Sequence, residues 1–91
     1  MITQFIQKGT CEATELDGEW VILDTNQFTV TKLNEVGGFC WVMLQKAQTA
    51  ETLTQSVVEK FSVSESQDQV KKDMEEFLKN LDQCGLIQHA N

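Results

Sequence analysis

Three cysteines and one histidine have the clearest potential for chemistry in this sequence: Cys11, Cys40, Cys84 and His89. A histidine activates a neighbouring thiol by taking its proton, so His89 could pair with Cys84 or with Cys40. No feature of the sequence orients His89, however, because residues 88–91 are typical of a frayed tail. We therefore predict free thiols that pack as small apolar side chains, and a protein that is not an enzyme. The alternative, a small thiol enzyme, requires a cysteine with a low pKa.

The spacing of these residues does not favour a metal site or a cofactor site. Structural zinc sites use paired ligands about two to four residues apart, whereas the cysteines here are widely separated and form no CxxC. The acidic residues Asp73, Glu75 and Glu76 lack the alternating oxygen ligands and the glycine of a calcium-binding loop. Gly37-Gly38 matches no phosphate-binding glycine pattern. We predict that the protein binds no metal and no cofactor.

Length and charge restrict the classes of partner. The chain has 91 residues, which is enough for one domain. Its 14 acidic residues face seven lysines and no arginine, so the formal net charge is −7. Nucleic acids and anionic membranes attract basic surfaces, and neither is therefore an expected partner. The sequence shows no secretory signal and no apolar run long enough to cross a bilayer, which together with the free thiols predicts a cytoplasmic protein.

The first third of the chain predicts a small antiparallel sheet. Three segments have the composition or the period-two alternation of strands: residues 11–16, 19–24 and 28–33. Asp17-Gly18 is a strong hairpin signal between the first two segments. The polar side chains of the third segment, including Lys32, suit a half-exposed edge strand.

After residue 33 the apolar pattern changes to that of helices. Three residues suit N-cap positions because their side chains can accept a backbone N–H: Asn34, Thr49 and Ser64. Gln67 lies three residues after Ser64, which is typical of a capping box, and Gly85 suits the end of the third helix. The pair Gly37-Gly38 inside the first helix indicates that another backbone approaches closely there; the alternative is a poorly formed helix.

The order of these elements predicts the fold. Strands come first and helices follow, so the class is α+β with the order βββααα. The helices resemble a helix-turn-helix core, and the sheet would form its wing. We predict a single domain over residues 1–91, with an ordered core at about residues 11–87, a loose arm at residues 1–10 and a frayed tail at residues 88–91.

One surface of this fold could bind a peptide. An edge strand at residues 28–33 would leave backbone N–H and C=O groups unpaired, and a partner peptide could add itself there as a further strand. If the third helix lies beside that edge, Val70, Met74 and Phe77 would form the apolar wall of a groove. The alternative is that these three residues belong to the core, because an amphipathic helix normally buries its apolar stripe.

Several stretches of the sequence resemble one known family. The strand Trp20-Val21-Ile22-Leu23-Asp24 is followed, after a turn, by Leu33-Asn34-Glu35-Val36-Gly37 and then by Trp41. Together with the ending Cys84-Gly85-Leu86-Ile87, this pattern is similar to that of the PqqD-like family over about residues 12–87. The Leu-Asn-Glu-Val-Gly block is the more specific part of the match.

The resemblance implies a winged helix-turn-helix that binds the leader segments of ribosomally synthesised, modified peptides rather than DNA. In that family the leader adds as an antiparallel strand to the third strand, in the cleft against the third helix. Asn34, Gly37 and Trp41 match signature positions, to which we assign capping and packing roles. Carried over by position, the leader-binding residues are Thr29, Val30, Thr31, Lys32, Leu33, Val70, Asp73, Met74 and Phe77.

The pathway within this family stays open. The strand GEWVILDT is similar to that of leader-recognition subunits in lasso-peptide biosynthesis, which we prefer over the PQQ-pathway peptide chaperone of the same family. Such a subunit has no catalytic residues and delivers the precursor to a separate protease and a cyclase. The alternative from another class is a winged-helix DNA-binding regulator, which the second helix disfavours because Glu51 and Glu59 outnumber Lys60. Exposed sheet edges also allow a strand-exchanged dimer.

Overall fold

Five strands and three helices make up the fold in the computed structural model, which describes residues 2–9 and 11–90. In chain order these elements are β1 (Phe5–Gln7), β2 (Cys11–Leu16), β3 (Glu19–Asp24), β4 (Thr29–Leu33), α1 (Glu35–Met43), α2 (Ala50–Phe61), α3 (Gln67–Gln83) and β5 (Ile87–His89). Strands β2, β3 and β4 form an antiparallel sheet in that order, and the three helices follow it. The predicted α+β class and βββααα core are therefore confirmed.

Local turn chemistry explains the sheet. Asp17 and Gly18 both have positive φ angles, 51° and 81°, as the two central residues of a type I′ hairpin require. At the next turn the buried carboxylate of Asp24 accepts hydrogen bonds from the backbone N–H of Asn26 (2.9 Å) and of Gln27 (3.4 Å). These short connections fix the register between neighbouring strands, so β3 lies in the centre and β4 at one edge.

Two of the three predicted N-caps are confirmed. The Oδ1 of Asn34 accepts from the backbone N–H of Gly37 at 2.7 Å, and Thr49 forms a reciprocal capping box with Thr52. The prediction for the third helix is wrong, because its N-cap is Ser66 and not Ser64. Both serines are followed by glutamine three residues later, so the local pattern does not distinguish them.

The chain ends are paired, which differs from the predicted loose arm and frayed tail. Strands β1 and β5 form a second, two-stranded antiparallel sheet, and the rings of Phe5 and His89 meet edge to face with their centres 4.9 Å apart. Gly85 has a φ of 76° and ends α3 in a Schellman motif, in which the N–H of Leu86 donates to the C=O of Leu81. This turn directs the chain back along β1. The expectations for residues 1, 10 and 91 lie outside the described residues.

The core lies between the β2–β3–β4 sheet and the helices. Ile22 from β3 packs with buried side chains from all three helices and from the segment that enters β5. The buried apolar residues are Ile22, Cys40, Trp41, Leu44, Leu53, Val57, Val70, Met74, Leu78, Leu81, Leu86 and Ile87. In the part of the chain that the structure describes, no helix has the length and apolar character needed to cross a membrane.

The glycine pair in α1 makes room for an aromatic ring. A Cβ atom at Gly38 would overlap the indole ring of Trp20 from β3, whereas a Cβ at Gly37 would lie 3.2 Å from Leu33 Cβ. The predicted close approach is therefore present, but at Gly38 the approaching group is a side chain and not a backbone. This contact sets the distance between α1 and the sheet.

Candidate functional site

Strand β4 is an open edge of the sheet. Among the described residues its strand partner is β3 alone, in the register Trp20↔Leu33 to Asp24↔Thr29. An antiparallel strand with one neighbour directs alternate backbone N–H and C=O groups away from the sheet. The edge of β4 is thus available for pairing with another extended segment.

A groove of about 460 Å³ opens next to the end of this edge. Its walls come from β4, the first turn of α1, the end of α2 and the exposed side of α3. The residues that line it are Lys32, Leu33, Asn34, Val36, Gly37, Val57, Phe61, Val63, Glu65, Val70, Asp73, Met74 and Phe77. Most of these side chains are apolar, so the groove can accept an apolar side chain from a segment that lies along β4.

Six of the nine residues assigned by resemblance line this groove. They are Lys32, Leu33, Val70, Asp73, Met74 and Phe77. The other three, Thr29, Val30 and Thr31, lie farther along the β4 edge. All nine residues therefore lie on β4 or on α3, the two elements that border the open edge and the groove.

The sequence analysis missed the contribution of α2 and of the segment after it. Val57 and Phe61 line the groove from α2, and Val63 and Glu65 line it from the segment that follows. Val63 and Glu65 lie after Ser62, which takes the left-handed conformation (φ 48°) and turns the chain directly after α2. A turn of this kind leaves no signal in apolar periodicity.

The three apolar residues on α3 that line the groove differ in how much of each side chain is exposed. Val70 and Met74 are only 3% and 7% exposed, and the Cys40 thiol lies 3.6 Å from the Met74 sulfur, so both side chains belong to the core as well. Phe77 is half-buried, and its ring packs beside Gly37, where an added Cβ would lie 3.4 Å from the Cε1 of Phe77. The two alternatives for this helix are thus both partly correct, and Phe77 is the most accessible apolar side chain of the three.

The charges at the groove are mainly negative. Glu65 and Asp73 line it with a single lysine, Lys32. The carboxylate of Asp73 accepts a hydrogen bond from the Gln69 amide at 3.1 Å, which orients it on the exposed side of α3. A ligand with basic side chains would complement this surface.

The buried thiol of Cys40 is not activated. Burial raises the pKa of Cys40 from 9.0 to about 12, which is the opposite of what a nucleophilic cysteine requires. Cys84 is exposed on the C-cap of α3, and Cys11 is partly buried. Within residues 2–9 and 11–90, no three residues among His, Cys, Asp and Glu are grouped as metal ligands.

The Cys40 pKa predicts a loss of stability in base. Above pH 9.0 the unfolded chain releases the thiol proton that the folded chain retains up to about pH 12. In this range the free energy of unfolding should fall by about 1.4 kcal/mol per pH unit from this group. Urea unfolding at pH 8, 9 and 10 measures the slope. We expect a shallower slope in Cys40→Ala; equal slopes in wild type and in this variant would contradict the assignment.

A three-stranded wing with an open edge, followed by a helical core, defines this protein as a winged helix-turn-helix domain. The family model of coenzyme PQQ synthesis protein D (PqqD) matches residues 19–87, and the chain belongs to the PqqD family. The resemblance noted in the sequence is therefore confirmed. No curated protein sequence matches the chain.

Two solved structures share this fold. One is TbiB1 in complex with the TbiA(beta) leader peptide, at 22% sequence identity and a TM-score of 0.80, covering 91% of this chain and 94% of that one. The other is a lasso peptide synthetase B1 complexed with the leader peptide, at 14% identity and a TM-score of 0.78, covering 92% and 96% of the two chains. At these identities the likeness establishes the fold of the present chain.

Proposed function

We propose that this protein is a non-catalytic binding protein that captures the leader segment of a ribosomally synthesised precursor peptide. The leader adds as a strand to β4 and places apolar side chains in the groove against α3. The observation that carries this proposal is the open edge of β4 directly beside the apolar groove. Strand addition of this kind uses main-chain hydrogen bonds for affinity and side-chain pockets for specificity.

Two further observations support the proposal and its pathway. The chain belongs to the PqqD family, and both solved structures of the same fold contain a leader peptide. One of those two proteins is described as a lasso peptide synthetase B1, which favours lasso-peptide biosynthesis for this chain. We infer, from the same resemblance to leader-recognition subunits, that it acts in the cytoplasm and delivers its precursor to a separate protease and a cyclase.

Known interaction energies account for a useful affinity. Each main-chain hydrogen bond to β4 contributes about 0.5–1.5 kcal/mol net, and burial of one apolar side chain in the groove contributes about 1.5–3 kcal/mol. After the cost of ordering the peptide, this gives a micromolar to nanomolar complex. The negative groove and the net charge of −7 favour leaders with lysine or arginine.

Truncation of Phe77 should weaken leader binding without unfolding the domain. Phe77 is half-buried at the groove wall, so Phe77→Ala removes a contact surface for the leader and leaves the core in place. We expect about a tenfold loss of affinity, which corresponds to about 1.4 kcal/mol. The measurement is calorimetric titration with synthetic peptides that correspond to the N-terminal segments of any short reading frames found beside this one.

A matched control is Phe5→Ala, because Phe5 is also half-buried but lies on β1, outside the groove. It should bind with wild-type affinity. Met74→Ala is not a clean test, since Met74 is buried and its truncation is expected to cost about 2–5 kcal/mol of stability. If no leader segment from the neighbouring frames binds to the wild-type protein, the proposed function is wrong.

A further inference from the structure

The outer face of the sheet, opposite the core, is partly apolar. Alternate side chains of a strand lie on opposite faces, and Ile22 and Asp24 of β3 are buried toward the helices. Leu23 therefore lies on the outer face, and so does Val30, its partner in the β3–β4 register. These two side chains are 39% and 61% exposed. An exposed apolar pair that reaches the edge strand of a sheet needs an explanation, because it favours unwanted association.

Phe28 directly precedes β4 and is a third exposed apolar residue near this edge. Its side chain is 88% exposed, and its φ of 56° lies in the left-handed region, which is uncommon for a bulky residue. Such a conformation costs free energy and persists only where the surroundings enforce it. The enforcing contacts are the hydrogen bonds from Asn26 and Gln27 to Asp24, which hold the turn before Phe28. The fold thus keeps an aromatic ring exposed in a strained position beside the open edge.

A strand added to β4 has to contact this surface. Its side chains alternate between the two faces of the sheet, and a residue directly opposite Val30 has its Cβ about 5 Å from that of Val30. Every second side chain of the added strand faces the groove, and the side chains between them lie on the outer face beside Val30. Apolar, aromatic and β-branched residues pair best with an exposed valine on such a surface.

We propose, resting on the function proposed above, that the outer face at Phe28, Val30 and Leu23 forms a second specificity site for the leader. An apolar or aromatic side chain of the leader packs there. It comes from a leader position next to one whose side chain enters the groove, because neighbouring residues of a strand lie on opposite faces. The leader is the occupant because this surface is continuous with the edge to which the leader adds. A recognised leader therefore carries apolar residues on both faces of one extended segment.

The test is selection from a phage-displayed library of random peptides of about twelve residues, on wild type, on Phe28→Gly/Val30→Thr and on Phe77→Ala. Glycine relieves the strain at position 28 and threonine keeps β propensity at position 30, so the double variant should stay folded. Urea unfolding checks that it does. Peptides selected on wild type should prefer apolar residues both at alternate positions that face the groove and at the positions between them that face the outer side of the sheet. The double variant should lose only the outer preference and bind wild-type-selected peptides about fivefold more weakly, whereas Phe77→Ala should lose only the groove preference.

Each other result overturns one specific statement. The outer site is refuted if the selected peptides prefer apolar residues only at the positions that face the groove, and if the double variant binds them as tightly as wild type does. Leader binding itself would stand in that case. Selected peptides whose binding is insensitive to both variants and to proline in β4 refute the proposed function itself. If sedimentation shows a wild-type dimer that the double variant dissociates, with no change in peptide binding, the outer face contacts a second copy and the inference is wrong.

Discussion

Gly38→Ala is expected to lower the free energy of unfolding by about 3 kcal/mol. The added methyl group would overlap the indole ring of Trp20, which is held between α1 and β3. Overpacking of this kind forces side-chain and backbone shifts and outweighs the gain of about 1 kcal/mol in helix propensity. For a domain of this size the midpoint of thermal unfolding should fall by about 10 °C or more. Circular dichroism in urea and on heating measures both quantities.

Two controls identify the cause of this loss. Gly9→Ala should leave stability within about 0.5 kcal/mol of wild type, because no atom lies within 4 Å of the new methyl group. In the Trp20→Leu background, Gly38→Ala should cost much less, since the smaller side chain leaves room for the methyl group. A loss of equal size in both backgrounds would show that the indole ring is not the obstacle.

Proline in β4 is expected to reduce leader affinity by at least about tenfold. Val30 and Thr31 are neighbours on the edge strand, so one of them directs its N–H to β3 and the other to the open edge. Proline at the inward position removes a hydrogen bond of the sheet and should destabilise the fold. An edge strand tolerates proline at the outward position. There, however, proline removes the β4 N–H that would donate to the leader, so one carbonyl of the leader loses its hydrogen-bond partner.

The comparison uses Val30→Pro and Thr31→Pro. Urea unfolding identifies which of the two variants remains folded, and that variant is then titrated with leader segments. The matched control is the corresponding pair on β2, Ala13→Pro and Thr14→Pro, because β2 is the other edge of the same sheet. The folded β2 variant should bind the leader normally. Wild-type affinity in a folded β4 variant would rule out strand addition at this edge.

Local chemistry made most of the β2-to-α3 core predictable. A two-residue turn at Asp17-Gly18 and side-chain caps at Asn34 and Thr49 are decided within a few residues of sequence, and all three have the predicted role. The third helix shows the limit of that approach, since Ser64 and Ser66 offer the same local pattern and only the packed structure selects Ser66. Predictions from neighbouring residues succeed where the deciding contacts are also between neighbours.

Non-local contacts account for the differences between prediction and structure. The pairing of β1 with β5 joins segments about 80 residues apart in sequence, and three-residue strands carry too little alternation to be recognised alone. The groove shows the same effect: Phe77 was predictable from the resemblance, whereas Val63 and Glu65 enter it through the turn at Ser62. Whether the nine assigned residues bind a leader stays a prediction until the titrations are made.

The pairing of β1 with β5 has a consequence for how the domain can be joined to other proteins. Phe5 and His89 lie side by side, and neither residue lines the groove against α3. Both ends of the domain therefore leave from one place, a geometry that tolerates insertion into a host polypeptide or circular permutation. A domain with this arrangement of its chain ends could be fused into other proteins as a unit, and the open edge of β4 would remain exposed.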